Sequence, residues 1–125
     1  MELLPYLKSV LDQDRAPVVL CDLSHTILYM NPAAVKRYAK SGGTALVGQS
    51  LMNCHSPKSN ELIEQVVAWF QAGRTHNLVY TSHNDRENKD VYMVALRDGD
   101  GTLIGYYEKH EYRNRETMAP YDFKP

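Results

Sequence analysis

The chain has little cysteine, almost no net charge and no long apolar run, and each lack removes a class of protein. Cys21 and Cys54 are the only two cysteines, too few for a disulfide framework, and they sit in apolar or helix-entry contexts typical of reduced, unpaired thiols. Fourteen Lys and Arg against fifteen Asp and Glu leave a formal charge of −1, so no positive field gathers phosphates and nucleic acid is not expected as a partner. Nowhere do about 18 apolar residues follow one another, and Met1–Leu7 lacks both a cationic start and an apolar core. The expectation is therefore a cytoplasmic protein, neither secreted nor bound to a membrane. Internal repeats, low-complexity tracts and a glycine-rich phosphate loop are also missing. What is present is ordinary: 43% apolar and 23% charged residues in a chain of 125, the size and balance of one globular domain.

Along the chain, Leu4, Leu7 and Leu11, with Leu3 and Val10, form one stripe of an amphipathic helix over residues 1–14, and Pro5 suits its first turn. Residues 15–113 read as the domain proper. Val18–Cys21 is apolar on both faces, as in a covered strand, and Thr26–Met30 is close enough to pair with it as a hairpin. Asn31-Pro32 is a helix-start signal for a short helix ending before Ser41-Gly42-Gly43. After an irregular stretch, Pro57 opens the longest helical pattern, in which Leu62, Ile63, Val66, Val67, Trp69 and Phe70 form a wide apolar face ending at Gly73. Thr75–Ser82, Asp90–Arg97 and Thr102–Tyr112 read as strands, with Asp98-Gly99-Asp100-Gly101 as a hairpin turn. Residues 114–125 form a C-terminal arm. The order α-β-β-α-loop-α-β-β-β predicts an α+β fold, one five-stranded antiparallel sheet with helices covering one face plus the N-terminal amphipathic helix.

That order and several local signatures resemble the PAS domain family over Pro17–Tyr112. The hairpin Val18-Val19-Leu20-Cys21-Asp22…Ile27-Leu28-Tyr29-Met30-Asn31, leading into Pro32-Ala33-Ala34, looks like the family's strand–strand–Asn entry to a helix. Leu46-Val47-Gly48-Gln49-Ser50-Leu51 is similar to its hydrophobic-Gly turn, and Leu96-Arg97-Asp98-Gly99-Asp100-Gly101-Thr102-Leu103-Ile104-Gly105 to its closing hairpin. Cys54-His55-Ser56-Pro57-Lys58-Ser59 looks like a Cys-His-x-Pro-Lys-Ser stretch of one PAS subgroup, some members of which adjoin other bacterial signalling modules. The resemblance implies a curved sheet and helical flank enclosing a pocket, used for sensing or relay. The chain ends soon after the fold does, so the message is expected to pass to a separate signalling protein or to a second copy.

Candidate pocket residues are Cys54, His55, Val66, Trp69, Phe70, Tyr80, Tyr92, Val94 and Tyr106, since aromatic and apolar walls with a few polar handles suit a small-molecule ligand. The same side chains serve equally to fill a core. His55 lies where some haem-binding PAS domains place an axial histidine, which makes a haem gas or redox sensor the sharper reading and helix capping the plainer one. Asn53-Cys54 invites comparison with light-sensing flavin PAS domains. Four residues separate Gly48 from Asn53, however, and Tyr92 and Tyr107 stand where polar amides are wanted, so flavin is not expected. His25, His76, His83 and His110 show no paired ligand spacing, so no structural metal is expected. Ser56, Lys58 and Ser59 form an anion-cradle candidate at a helix start, against ordinary capping. Leu4, Leu7 and Leu11 are the candidate interface of a homodimer, against packing on the domain's own sheet. Three functions follow: a sensory or interaction module, a small enzyme of cone-like α+β fold with His55 its one evident acid–base group, or a ligand-free dimerisation scaffold. The first is preferred, and catalysis is not expected.

Overall fold

A computed structural model describes all 125 residues. Each of the three α-helices has a proline in its first turn, and two of them also have a side-chain cap. Asn31 accepts a hydrogen bond from Ala34 N to open α2 (Pro32–Arg37), and Ser56 accepts one from Ser59 N to open α3 (Pro57–Ala72). Pro5 lies in the first turn of α1 (Leu4–Asp12). Between α2 and α3 the chain makes three 3-10 turns, Ala39–Ser41, Gly43–Leu46 and Leu51–Cys54. The strands are β1 (Val19–Asp22), β2 (Ile27–Met30), β3 (Leu78–Asn84), β4 (Lys89–Arg97) and β5 (Leu103–Tyr112). β3 starts at Leu78 rather than Thr75 because the preceding residues form a turn, in which the His76 ring stacks on Trp69 with centroids 3.9 Å apart.

The five strands make one antiparallel sheet in the order β2-β1-β5-β4-β3. The N-terminal hairpin joins the C-terminal strands through β1 and β5, where Gly105 faces Asp22. A Cβ on Gly105 would overlap the carbonyl oxygen of Cys21, so this approach requires glycine. Side chains alternate between the two faces, and the register orders those of the covered face into rows. Ile27, Cys21, Tyr106 and Ala95 form one row, and Met30, Val19, Glu108, Met93 and Val79 form the next. Beyond them lie His110, Val91 and Ser82, then Tyr112, Lys89 and Asn84. The face thus runs from apolar to polar.

α3 crosses the apolar rows with Val67 and Phe70 fully buried and Ile63 and Val66 partly so. Its buried face is narrower than the expected one. Leu62 is 52% exposed and Trp69 43%, because each lies about 100° around the helix from the buried positions Ile63 and Phe70. Arg97 fastens the helix's C-terminus: Nη2 donates to the carbonyls of Phe70, Gly73 and His76, and Nη1 to that of Gly101. This satisfies carbonyls that a helix end leaves open.

Asn31 is fully buried and joins four segments. Its Oδ1 accepts from Val18 N and Ala34 N, both at 2.9 Å, and its Nδ2 donates to Leu11 O at 2.9 Å and Ala16 O at 3.0 Å. Asn31→Ala leaves these backbone groups without partners and removes the cap of α2, so a loss of about 3 kcal/mol or more is expected in chemical denaturation. Asn31→Asp keeps both accepted bonds but points an oxygen at the carbonyls. Amide exchange over residues 4–12 should therefore speed up while β4 and β5 stay protected. Unchanged exchange in α1 would show that this side chain does not anchor it.

Candidate functional site

The helices and turns roof the apolar rows without filling the space beneath. A chamber of about 230 Å³ remains. Its floor is Val19, Cys21, Ile27, Met30, Met93 and Tyr106 of the sheet, and its roof is Tyr38, Leu46, Leu51, Cys54, His55 and Ile63. Tyr38, His55, Ile63, Met93 and Glu108 also border a second, more open cavity of about 600 Å³ lined by Lys89, His110, Arg37, Asn84 and Ser82 among others. Those five residues form the boundary shared by an apolar chamber and a polar vestibule, called the gate below.

Two of the chamber's polar handles, Cys21 and Tyr106, stay protonated at ordinary pH. Burial pushes the Cys21 thiol up to about 11, and burial likewise raises the Tyr106 phenol. The Tyr106 hydroxyl shares a 2.8 Å hydrogen bond with His25 Nδ1 in the β1–β2 turn. His55 Nδ1 lies 3.0 Å from Leu51 O; a carbonyl only accepts, so Nδ1 carries the proton and Nε2 is the free nitrogen. At the gate, burial alone would raise Glu108, but His110 Nε2 at 2.9 Å outweighs it and holds the carboxyl below the usual range.

Several residues singled out in the sequence meet here and others do not. Cys54, His55 and Tyr106 line the chamber, and Val66 lines the vestibule. Phe70 packs into the core without facing the chamber, and Trp69 lies outside, stacked on His76. Tyr80, Tyr92 and Val94 alternate onto the opposite face of the sheet, where the Tyr80 and Tyr92 rings lie 5.4 Å apart. Their placement in the pocket is thus corrected: Met93 points inward, so its strand neighbours cannot. At the proposed anion cradle, Ser59 N is satisfied by the Ser56 cap and the two hydroxyls bond each other, while Lys58 points to solvent. Helix capping accounts for this segment, although Ser59 also reaches the vestibule wall.

Leu4 and Leu7 are exposed and Leu11 is half-buried, so α1 does not hide its stripe on its own sheet. The inner-face polar groups Glu108, His110 and Lys89 were not identified from sequence. The available signal was their two-residue spacing from Tyr106 and Met93, which needs the register before it can be read.

A haem does not fit the chamber. An apolar cavity of about 150 Å³ holds one benzene ring, so about 230 Å³ admits roughly eight to ten carbons and not a tetrapyrrole. No cluster of three or more His, Cys, Asp or Glu side chains is placed to hold a metal ion, and no helix is long and apolar enough to cross a membrane.

A family model described as PAS domain matches residues 7–109. A comparison with curated proteins returns no match. Among solved structures, a C-terminal domain from Streptococcus mutans superposes with a TM-score of 0.67 at 19% identity, covering 87% of this chain and 84% of that one. The PAS domain of a Colwellia psychrerythraea protein gives a TM-score of 0.65 at 14% identity, covering 90% and 98%. The PAS domain of BvgS from Bordetella pertussis gives 0.62 at 14%, covering 90% and 87%. At these identities the likeness is one of fold.

The depressed native value of Glu108 fixes the sign of a pH effect. Its pairing with His110 stabilises the fold above the ordinary carboxyl value of about 4.5, and that contribution is lost as pH falls through the lower native value. The stability gap between wild type and Glu108→Gln, from urea titrations at several pH values, should therefore be largest above about 4.5 and shrink below it. A gap independent of pH would mean that the charge of Glu108 does not contribute.

Proposed function

The chain belongs to the PAS domain family, typically sensory or signalling and generally non-enzymatic, and on that premise we propose that it is a small-molecule sensor whose ligand enters the chamber. The observation that carries this reading is the chamber itself: a mainly apolar space with a few polar handles, bordering a polar vestibule, the usual make-up of a ligand site. Well-packed interiors rarely leave a void of this size. Glu108 and His110 form a carboxylate–imidazole pair, from which any enzymatic reading would start. We read the pair as part of the binding wall, in keeping with the family.

The responsive part of the roof is its run of short 3-10 turns, which carry Leu46, Leu51 and Cys54. Ligand occupancy biases its conformation, and the change is passed on through packing between two copies of the chain. Support for a homodimer comes from α1, where Leu3, Leu4, Tyr6, Leu7 and Val10 are all more than half exposed. The uncovered face of the sheet adds Leu78 and Tyr80, each 56% exposed. An apolar stripe of this kind on a short helix calls for a covering surface. A separate signalling protein is the other occupant it could accept.

Light scattering during size exclusion tests the dimer. The wild type is expected at twice the chain mass and Leu7→Asp at the single-chain mass. A monomeric wild type, or a dimer unchanged by Leu7→Asp, would contradict α1 as the interface. Native mass spectrometry of the same samples should show a small-molecule adduct lost on denaturation.

A further inference from the structure

The wall of the vestibule contains buried polar atoms without hydrogen-bond partners. Lys89 and His110 come from adjacent rows of the covered face, and both side chains are nearly completely buried, at 2% and 4% exposure. Both line the vestibule. His110 spends Nε2 on Glu108 Oε1 at 2.9 Å, while its Nδ1 is buried with no partner. Lys89 Nζ lies 3.2 Å from Glu87 Oε2, close enough for an ion pair, yet in a geometry that makes no hydrogen bond. That carboxylate is in any case committed elsewhere, its Oε1 to Arg37 Nη1 at 2.6 Å and its Oε2 to Asn84 Nδ2 at 3.2 Å. Buried polar atoms left without partners destabilise a fold, so their presence beside a cavity points to an occupant that satisfies them.

From this we infer that the ligand is a monocarboxylate with an apolar body of roughly eight to ten carbons, its head group held by Lys89 and His110 and its body in the chamber. The inference rests on the chamber being a ligand site. Charge favours an acid over an amine. The Lys89 ammonium, buried without a hydrogen-bond acceptor, is satisfied by a carboxylate and not by a second cation. Glu108 does not turn such a ligand away, because its carboxylate already faces His110 Nε2 and the ligand sits across the ring at Nδ1. The gate side chains Ile63 and Met93 then meet the first carbons of the body.

Titration with octanoate, octanol and octylamine, followed by the methyl signals of Met30 and Met93 in the chamber floor, tests this. Octanoate is expected to bind roughly tenfold or more tightly than either of the others, since it alone brings a negative charge to the Lys89 ammonium. Lys89→Met should weaken octanoate by roughly that factor or more and octanol much less. The wild-type series does not depend on the variant's folding. Octanol or octylamine binding as tightly as octanoate would overturn the head-group assignment while leaving the chamber as a ligand site. If none of the three moved the Met30 and Met93 signals, both readings would fall.

Discussion

The structure depends on one buried amide. Asn31 ends β2, caps α2, holds the start of β1 and fastens the last turn of α1, using both its acceptor lone pairs and its donors. No apolar residue of the same volume meets these demands, and a carboxylate meets only half of them. The arrangement also sets what can move together. α2 leads directly into the roof turns over the chamber, and α1 carries the exposed stripe, so the roof and the proposed dimer helix are fastened at the same side chain. In the sensing mechanism proposed, this side chain links the element that leads into the roof to α1.

The covered face of the sheet is the second organising feature. Its rows pass from Cys21 and Tyr106, through Met93 and Glu108, to His110 and then Lys89, so polarity increases along the strands in one direction. α3 lies over the apolar end and leaves the polar end to the vestibule. A ligand with one apolar and one polar end has only one way to lie on such a surface. The opposite face carries Tyr80, Tyr92 and Val94 and, with α1, provides the apolar surface available to a partner.

Much of the fold was legible in the sequence, because its signals are local. The Asn31-Pro32 and Ser56-Pro57 pairs mark their helices to the residue, and Gly73 follows the last residue of α3. The five strands and their antiparallel arrangement followed from β-branched runs and a glycine turn. The site was less legible, because a cavity is a property of packing between segments distant in the chain. Tyr92 and Met93 are equally plausible wall residues until the register assigns them opposite faces. Leu62 and Trp69 fit an apolar helical stripe, yet the helix axis leaves them at its flank. Lys89 and His110 carry no local mark of burial, since the Arg37 and α3 residues that border the vestibule with them are distant in the chain.

The central claim is that the chamber is a real, apolar, accessible space and not a packing gap that closes in solution. A crystal structure under xenon pressure tests it directly, since xenon enters dry apolar cavities of this scale. The account predicts a xenon atom among Cys21, Ile27, Met93 and Tyr106 with these side chains unmoved, or else a co-purified ligand already occupying that position. Side chains collapsed into a continuous core, with neither xenon nor ligand between them, would contradict it.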